Sequence, residues 1–213
     1  MRLMHLNEEI GLDSPAPISF ISHAHSDHLA GLKSERIIAS PETMALCGFN
    51  KKSENVEGAR MIEAGHILGA RQFVLENEQK IIYTGDISLK ENIFGFKAKI
   101  EECDRLIMEA TYSSPEYQFE NPFVVYEQIA KWVKENEQAN IIIGAYELGK
   151  AQEIARVLNE YCGRAPIVTE KTEDFCAVYD SFGFKIDRVV VGSDEAEEEM
   201  SHPFVAIVPM RFA

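Results

Sequence analysis

Ser22-His23-Ala24-His25-Ser26-Asp27-His28-Leu29-Ala30-Gly31-Leu32 is the stretch that the rest of the chain has to agree with. Three imidazoles and a carboxylate, His23, His25, Asp27 and His28, follow directly behind the apolar run 18–21. If that run is a strand, alternation carries His23 and His25 to one side and leaves Asp27 and His28 where the strand breaks into a turn. Imidazole nitrogen and carboxylate oxygen are the donors that a borderline divalent ion such as zinc prefers. Their order suits two neighbouring ions better than one.

Working outward, two further residues are of the right type in the right kind of place. His66 lies in Gly65-His66-Ile67-Leu68-Gly69, between strand candidates at 60–64 and 71–76, and Asp86 follows Gly85 behind a third at 80–84. Both sit on glycine-lined loops at strand ends, where a sheet can bring distant residues to one rim. Before the cluster, residues 1–6 read as one edge strand at best, and Pro15 and Pro17 bracket a loop. After it, 36–40 reads as a short strand, Pro41 opens a helix to residue 49, and 51–58 is polar and loop-like. A strand at 105–109 ends in Glu109-Ala110-Thr111-Tyr112.

From residue 121 the pattern alternates. Helices are expected at 122–137, 148–161 and 172–182, with strands at 140–144, 167–169 and 186–191, the rhythm of a small parallel α/β unit. Trp132, spaced with Ile129 and Val133, reads as a core residue of the first helix. The acidic run 194–199 reads as a solvated loop or helix start, and 204–208 as one last strand.

With 213 residues, 46% of them hydrophobic and 26% charged, the composition is that of an ordinary globular chain. No apolar run approaches the ~20 residues that span a bilayer, and the first residues carry no basic region followed by an apolar block, so a soluble cytoplasmic protein is expected. Cys47, Cys103, Cys162 and Cys176 are far apart and form no paired metal motif; they read as reduced thiols. The net charge of −14 is opposite in sign to the basic surface that nucleic-acid binders usually present. Gly144-x-x-x-x-Gly149-Lys150 invites a phosphate-loop reading, but Ala151 stands where a P-loop needs the hydroxyl that binds magnesium. Lys150 and the helix start are kept as a candidate for a substrate backbone phosphate.

The string His23-x-His25-x-Asp27-His28, with Gly65-His66 and Thr84-Gly85-Asp86, resembles the signature of the metallo-β-lactamase fold superfamily. Glu109-Ala110-Thr111-Tyr112 resembles the acidic-Thr motif that begins its β-CASP branch, the nucleases of RNA 3′-end processing and DNA cross-link repair. Tyr112-Ser113-Ser114-Pro115-Glu116-Tyr117-x-Phe119 is similar to a stretch of the Artemis-like repair nucleases. Gly144-Ala145-Tyr146-Glu147-Leu148-Gly149-Lys150-Ala151-Gln152-Glu153 looks like the segment that opens the β-CASP cap, and Val208-Pro209-Met210 is similar to the return to the main fold.

The resemblance implies an α/β fold: a partly reduced αββα metallo-β-lactamase sandwich over 1–120, a small α/β β-CASP-like cap over 121–192, and an acidic loop and final strand returning to the core over 193–213. It implies a first metal on His23, His25 and His66, a second on Asp27 and His28, and Asp86 bridging. One or two Zn2+ ions are expected, with Mn2+ as an alternative. Glu109 is expected to orient a ligand histidine and Thr111 to support the metal loops. The late histidine of many relatives has no counterpart, so the second position is expected to be weak, with His202 as a candidate substitute ligand.

The function implied is a metal-dependent hydrolase, a nuclease or phosphodiesterase and more specifically an exonuclease, acting on RNA or DNA through a metal-activated water, with Asp27 as the catalytic carboxylate. The acidic balance keeps open a hydrolase of a small ester, thioester or lactone, and the missing histidine keeps open a non-catalytic metal-bound scaffold. No membrane partner is expected. A homo-oligomer that completes the short N-terminal sheet is one arrangement the chain would allow.

Overall fold

The computed structural model describes residues 1–49 and 52–213. Lys51, first residue of the polar stretch 51–58, lies outside the described residues. The chain forms two compact units: Met1–Glu91 with Gly95–Gln118, and Asn92–Phe94 with Phe119–Ala213.

In the first unit, β1 (Arg2–His5) and β2 (Glu8–Leu12) form an antiparallel hairpin, with both turn residues, Leu6 and Asn7, at positive φ. Strand β2 was not expected. Two glutamates open it, and Ile10 and Leu12 alone carry its buried face. β3 (Ile18–Phe20) and β4 (Arg36–Ile38) add in parallel, giving the sheet order β1-β2-β3-β4. Helix α1 (Pro41–Leu46) follows, capped by the Ser40 hydroxyl and started by Pro41 at its first turn.

The other sheet of this unit is β5 (Ala59–Glu63), β6 (Arg71–Glu76), β7 (Lys80–Tyr83) and β8 (Arg105–Ile107), in that order. The first three are antiparallel neighbours and β8 is parallel to β7. Leu3, Ile10, Leu12, Ile18, Phe20 and Ile38 of one sheet form a single buried cluster with Phe73 and Leu75 of the other. Phe20 and Phe73 meet at 5.0 Å between ring centroids. Fully burying each such side chain stabilises the fold by about 1.5–3 kcal/mol. This shared core sets the ends of β2, β3, β5 and β7 at fixed separations, and those ends carry the candidate ligands.

The second unit holds α2 (Pro122–Glu135), β9 (Ile141–Ala145), α3 (Lys150–Val157), β10 (Ile167–Val168), α4 (Glu170–Ser181), β11 (Val189–Val190), α5 (Asp194–Glu199) and β12 (Val205–Pro209). Its sheet is all parallel in the order β11-β10-β12-β9. The final strand was expected to return to the first unit. Instead β12 lies inside this sheet, pairing with β9 over five residues. Its apolar sequence suits a strand covered on both faces, as an interior parallel strand is. Trp132 also departs from expectation. The buried stripe of α2 is Tyr126, Ala130 and Val133, and Trp132 is 52% exposed on its flank. There it lines an apolar groove of about 320 Å³ with Val125, Ile129, Ile143 and Ile154. Among the described residues no helix is long and apolar enough to cross a membrane.

Candidate metal centre

Strand β3 stops at Phe20, so His23 and His25 owe their common direction to the loop behind it and not to strand alternation. That loop is tied on both sides: Ile21 N–H donates to Ile38 O of β4, and Arg71 N–H of β6 donates to Ser22 O, each at 2.9 Å. His25 precedes a 3-10 helix, Ser26–Lys33, whose first turn carries Asp27 and His28. His66 sits between β5 and β6. The Glu63 carboxylate steadies this loop by accepting from Gly65 N–H at 3.2 Å while paired with Arg71 at 2.8 Å. Asp86 follows Gly85, which has φ +56°; a Cβ there would lie 2.5 Å from Ser22 Cβ, so only glycine lets the two loops approach this closely.

The side chains converge. His23 Nε2 and His25 Nδ1 are 3.0 Å apart, and His66 Nε2 is 3.2 Å from His25 Nδ1. One Asp86 oxygen, Oδ2, lies 3.7 Å from His23 Nε2 and 3.6 Å from His66 Nε2. These four residues each offer a ligand atom, and all four atoms lie within 4.8 Å of one another. Ligands bound at about 2.0–2.2 Å in a tetrahedral arrangement stand about 3.3–3.6 Å apart, so the donor set fits one ion such as zinc. The other Asp86 oxygen, Oδ1, is 3.3 Å from His28 Nε2, and Asp27 Oδ2 is 3.7 Å from the same nitrogen. Asp86 thus faces both halves of the group, as a bridging carboxylate does. Asp27 is 78% exposed.

Asp13, directly after β2, has no place in the sequence reading and organises this group of side chains. Its Oδ1 accepts from Ser22 N–H at 2.7 Å. Its Oδ2 accepts from Ser22 Oγ at 2.6 Å, His28 Nδ1 at 2.7 Å and Tyr83 OH at 2.8 Å. Because the Ser22 hydroxyl proton is committed to Asp13, Ser22 Oγ accepts from His23 Nδ1 at 2.9 Å. His23 is thereby fixed in the tautomer that presents a bare Nε2 to the centre. The same logic turns His28 Nε2 towards Asp86. The one local signal for Asp13 is an Asp-Ser-Pro sequence, of the kind that favours a turn, and the residue has φ +47°.

Electrostatics separate the histidines. Burial, with its neighbours His28, His66 and His25, holds His23 far below the usual imidazole range, and burial with His25 lowers His66 as well. Both are therefore neutral donors. For His28, burial opposes the charge, but the hydrogen bonds to Asp13 and Asp86 prevail and raise it to about 10. The hydrogen bond from His28 holds the Asp86 carboxyl below the usual range, against its burial.

The remaining candidates fall elsewhere. Glu109 Oε1 accepts from Ile87 N–H at 2.9 Å, so it props the backbone next to Asp86, and its charge also acts on His66. Thr111 is exposed on the turn that follows. Lys150 belongs to the second unit and pairs with Glu153, which also accepts from Tyr126 OH. The Gly149 N–H at that helix start is taken by the buried Gln152 side chain at 2.7 Å, so the loop satisfies itself. His202 is exposed in the second unit, 3.2 Å from Ser201 Oγ.

No family model matches the chain. Among curated proteins it is 30% identical to a probable DNA ligase of Opitutus terrae, over 79% of this chain and 18% of that protein. It is 33% identical to an RNase J-like protein of Methanocaldococcus jannaschii, over 51% of this chain and 27% of that protein. Further matches, at 26% to 35% identity, are named as cleavage and polyadenylation factors, endoribonucleases and a 5′ exonuclease. The chain therefore spans less than a third of the length of the two relatives it is first compared with. Among solved structures it resembles a protein of unknown function from Enterococcus faecalis, with a TM-score of 0.56 at 14% identity over 89% of this chain and 57% of that one, a likeness of fold alone.

Proposed function

Since the chain belongs to the metallo-β-lactamase superfamily, in the β-CASP branch of nucleases, we propose that it is a metal-dependent phosphodiesterase that cleaves RNA or DNA. The observation that carries this reading is the convergence of His23, His25, His66 and Asp86, with the second Asp86 oxygen turned to His28. His23, His25 and His66 would hold a first ion, His28 and Asp27 a second, and Asp86 would stand between them. The nitrogen-rich first position suits zinc, and the carboxylate-richer second one accommodates manganese. When bound, such ions lower the pKa of a coordinated water and offset charge that develops on phosphoryl oxygens.

The protein's own part is orientation and proton transfer. Asp13 and Ser22 fix the tautomers of His28 and His23. Glu109 keeps the Asp86 loop in place. Asp27, open to solvent beside His28, is the carboxylate available to a substrate; one oxygen would ligate and the other accept the proton of the attacking water. The fold that goes with this reading is a reduced αββα sandwich with a small α/β insertion of β-CASP type. Its setting is cytoplasmic, where the four cysteines stay reduced. Lys150 and His202 have no part in it, since one is engaged by Glu153 and the other is an exposed residue beside Ser201.

The test is cleavage of end-labelled single-stranded DNA and RNA by metal-stripped protein given back Zn2+ or Mn2+. Ion-dependent cleavage is expected, abolished by chelation and by His66→Ala, and product lengths report whether it starts from an end. If neither polymer is cut and a chromogenic bis-phosphodiester is inert as well, the reading is refuted; turnover of a thioester or lactone instead would move the chain to small-ester hydrolysis.

A further inference from the structure

Tyr83 reaches from the last residue of β7 in one sheet to Asp13 at the end of β2 in the other, with its OH 2.8 Å from Asp13 Oδ2. It is the only side chain of the β5-β6-β7-β8 sheet hydrogen-bonded to that carboxylate among the described residues; the other donors, Ser22 and His28, follow β3. The ring is anchored edge-on to Phe20 at 6.3 Å between centroids and packs against the core shared by the two sheets. Only Thr84 and Gly85 separate Tyr83 from Asp86.

The two halves of the second metal position come from opposite sheets. His28 hangs from the first through Asp13, at 2.7 Å. Asp86 hangs from the second, at the end of the strand that Tyr83 closes. The first position has other ties, since Arg71 N–H grips the loop of His23 and Glu63 grips the loop of His66. For the second, among the described residues, the direct side-chain strut between its halves besides the ligands themselves is the Tyr83 hydroxyl. We propose that Tyr83 is a positioning residue that sets the span between His28 and Asp86 and so governs retention of the second ion independently of the first. This rests on the two-ion reading above.

The experiment is titration of metal-stripped wild-type protein and Tyr83→Phe with Co2+ and with Zn2+, followed by calorimetry and, for Co2+, by visible absorption. Removing one oxygen that donates to a buried carboxylate should weaken the second ion about ten-fold or more, the usual consequence of losing a hydrogen bond to a charged group, and leave the first within about three-fold. Ile82→Val, in the same strand but away from Asp13, controls for general loosening: it should lower the melting temperature and leave the ratio of the two dissociation constants unchanged. Equal weakening of both ions in Tyr83→Phe, or no weakening, overturns the positioning role while two-ion binding by the wild type stands. A wild type that binds a single ion overturns the role and the two-ion reading together.

Discussion

Replacing Asp13 separates what its charge does from what its backbone does. The carboxylate is 7% exposed and accepts four hydrogen bonds, from Ser22 N–H, Ser22 Oγ, His28 Nδ1 and Tyr83 OH, all between 2.6 and 2.8 Å. In the metal-free protein its partner His28 is 17% exposed and, against its burial, is raised to about 10 by Asp13 and Asp86, so Asp13→Ala removes the acceptor of His28 Nδ1–H and of Ser22 N–H and much of what keeps His28 charged. Breaking a buried pair from one side costs up to about 3–5 kcal/mol, less what His28 recovers from Asp86 and by releasing its proton. The residue also has φ +47°, a conformation that Asp and Asn tolerate and that costs other residues about 1–2 kcal/mol. Asp13→Asn keeps that tolerance and one oxygen for Ser22 N–H but loses the charge, for about 1.5–3 kcal/mol. The alanine variant should therefore be the less stable of the two. Tryptophan fluorescence cannot follow this, because the one tryptophan, Trp132, lies in the other unit. Hydrogen exchange of peptides spanning residues 8–21 can, with each ten-fold faster exchange of the slowest amides equal to about 1.4 kcal/mol. Zinc affinity should fall about 10–100-fold in both variants. Exchange within about 0.5 kcal/mol of wild type in both variants, with zinc affinity unchanged, would refute the reasoning.

Gly85→Ala should destabilise the first unit by more than about 1 kcal/mol and deplete bound metal, since a Cβ at φ +56° would lie 2.5 Å from Ser22 Cβ; a normal metal count by emission spectroscopy contradicts this. Asp27→Asn should leave stability within about 0.5 kcal/mol, because the side chain is largely exposed, and lower turnover about 100-fold or more. Full turnover in that variant would remove Asp27 from the chemistry. Burial pushes the Cys176 thiol up to about 11, so at pH 8 only about one molecule in a thousand carries the thiolate; alkylation followed by peptide mass mapping should find it unmodified until the second unit unfolds. Rapid labelling of the native protein would show that the thiol is accessible after all.

The His cluster was legible because its donors are neighbours in sequence and their spacing is itself the signal. His66 and Asp86 were legible one step less directly, through glycines that mark loops at strand ends. Asp13 was not, for a physical reason: its partners Ser22, His28 and Tyr83 lie 9, 15 and 70 residues away, and nothing local distinguishes a carboxylate that will gather them from one that caps a turn. The destination of the last strand was equally hidden. An apolar run of five states that it will be buried but not against which sheet, and the pairing of β12 with β9 depends on contacts some sixty residues apart. Trp132 fell at a helical spacing that also fits the flank of α2, and an amphipathic stripe does not by itself say where its edge lies.

In the two-ion reading the second position would be the weaker one for want of a late histidine, and the side chains around His28 supply a further reason. Around the first position three imidazole nitrogens already stand at separations close to those an ion imposes, two of them on neutral rings held so by burial. Little rearrangement is needed there. At the second, His28 shares its protons with Asp13 and Asp86, and Asp27 points largely into water. In that reading, filling it would require His28 to give up a proton and Asp27 to be drawn in, both against the hydrogen bonds and hydration that hold them now. The same Asp13 carboxylate that orients His28 also stabilises its charged form, so the group that would build a second position would also oppose its occupation. Sharing Asp13 Oδ2 with the hydroxyls of Ser22 and Tyr83 moderates that opposition, because each donor takes up part of the carboxylate's field that would otherwise act on His28 alone.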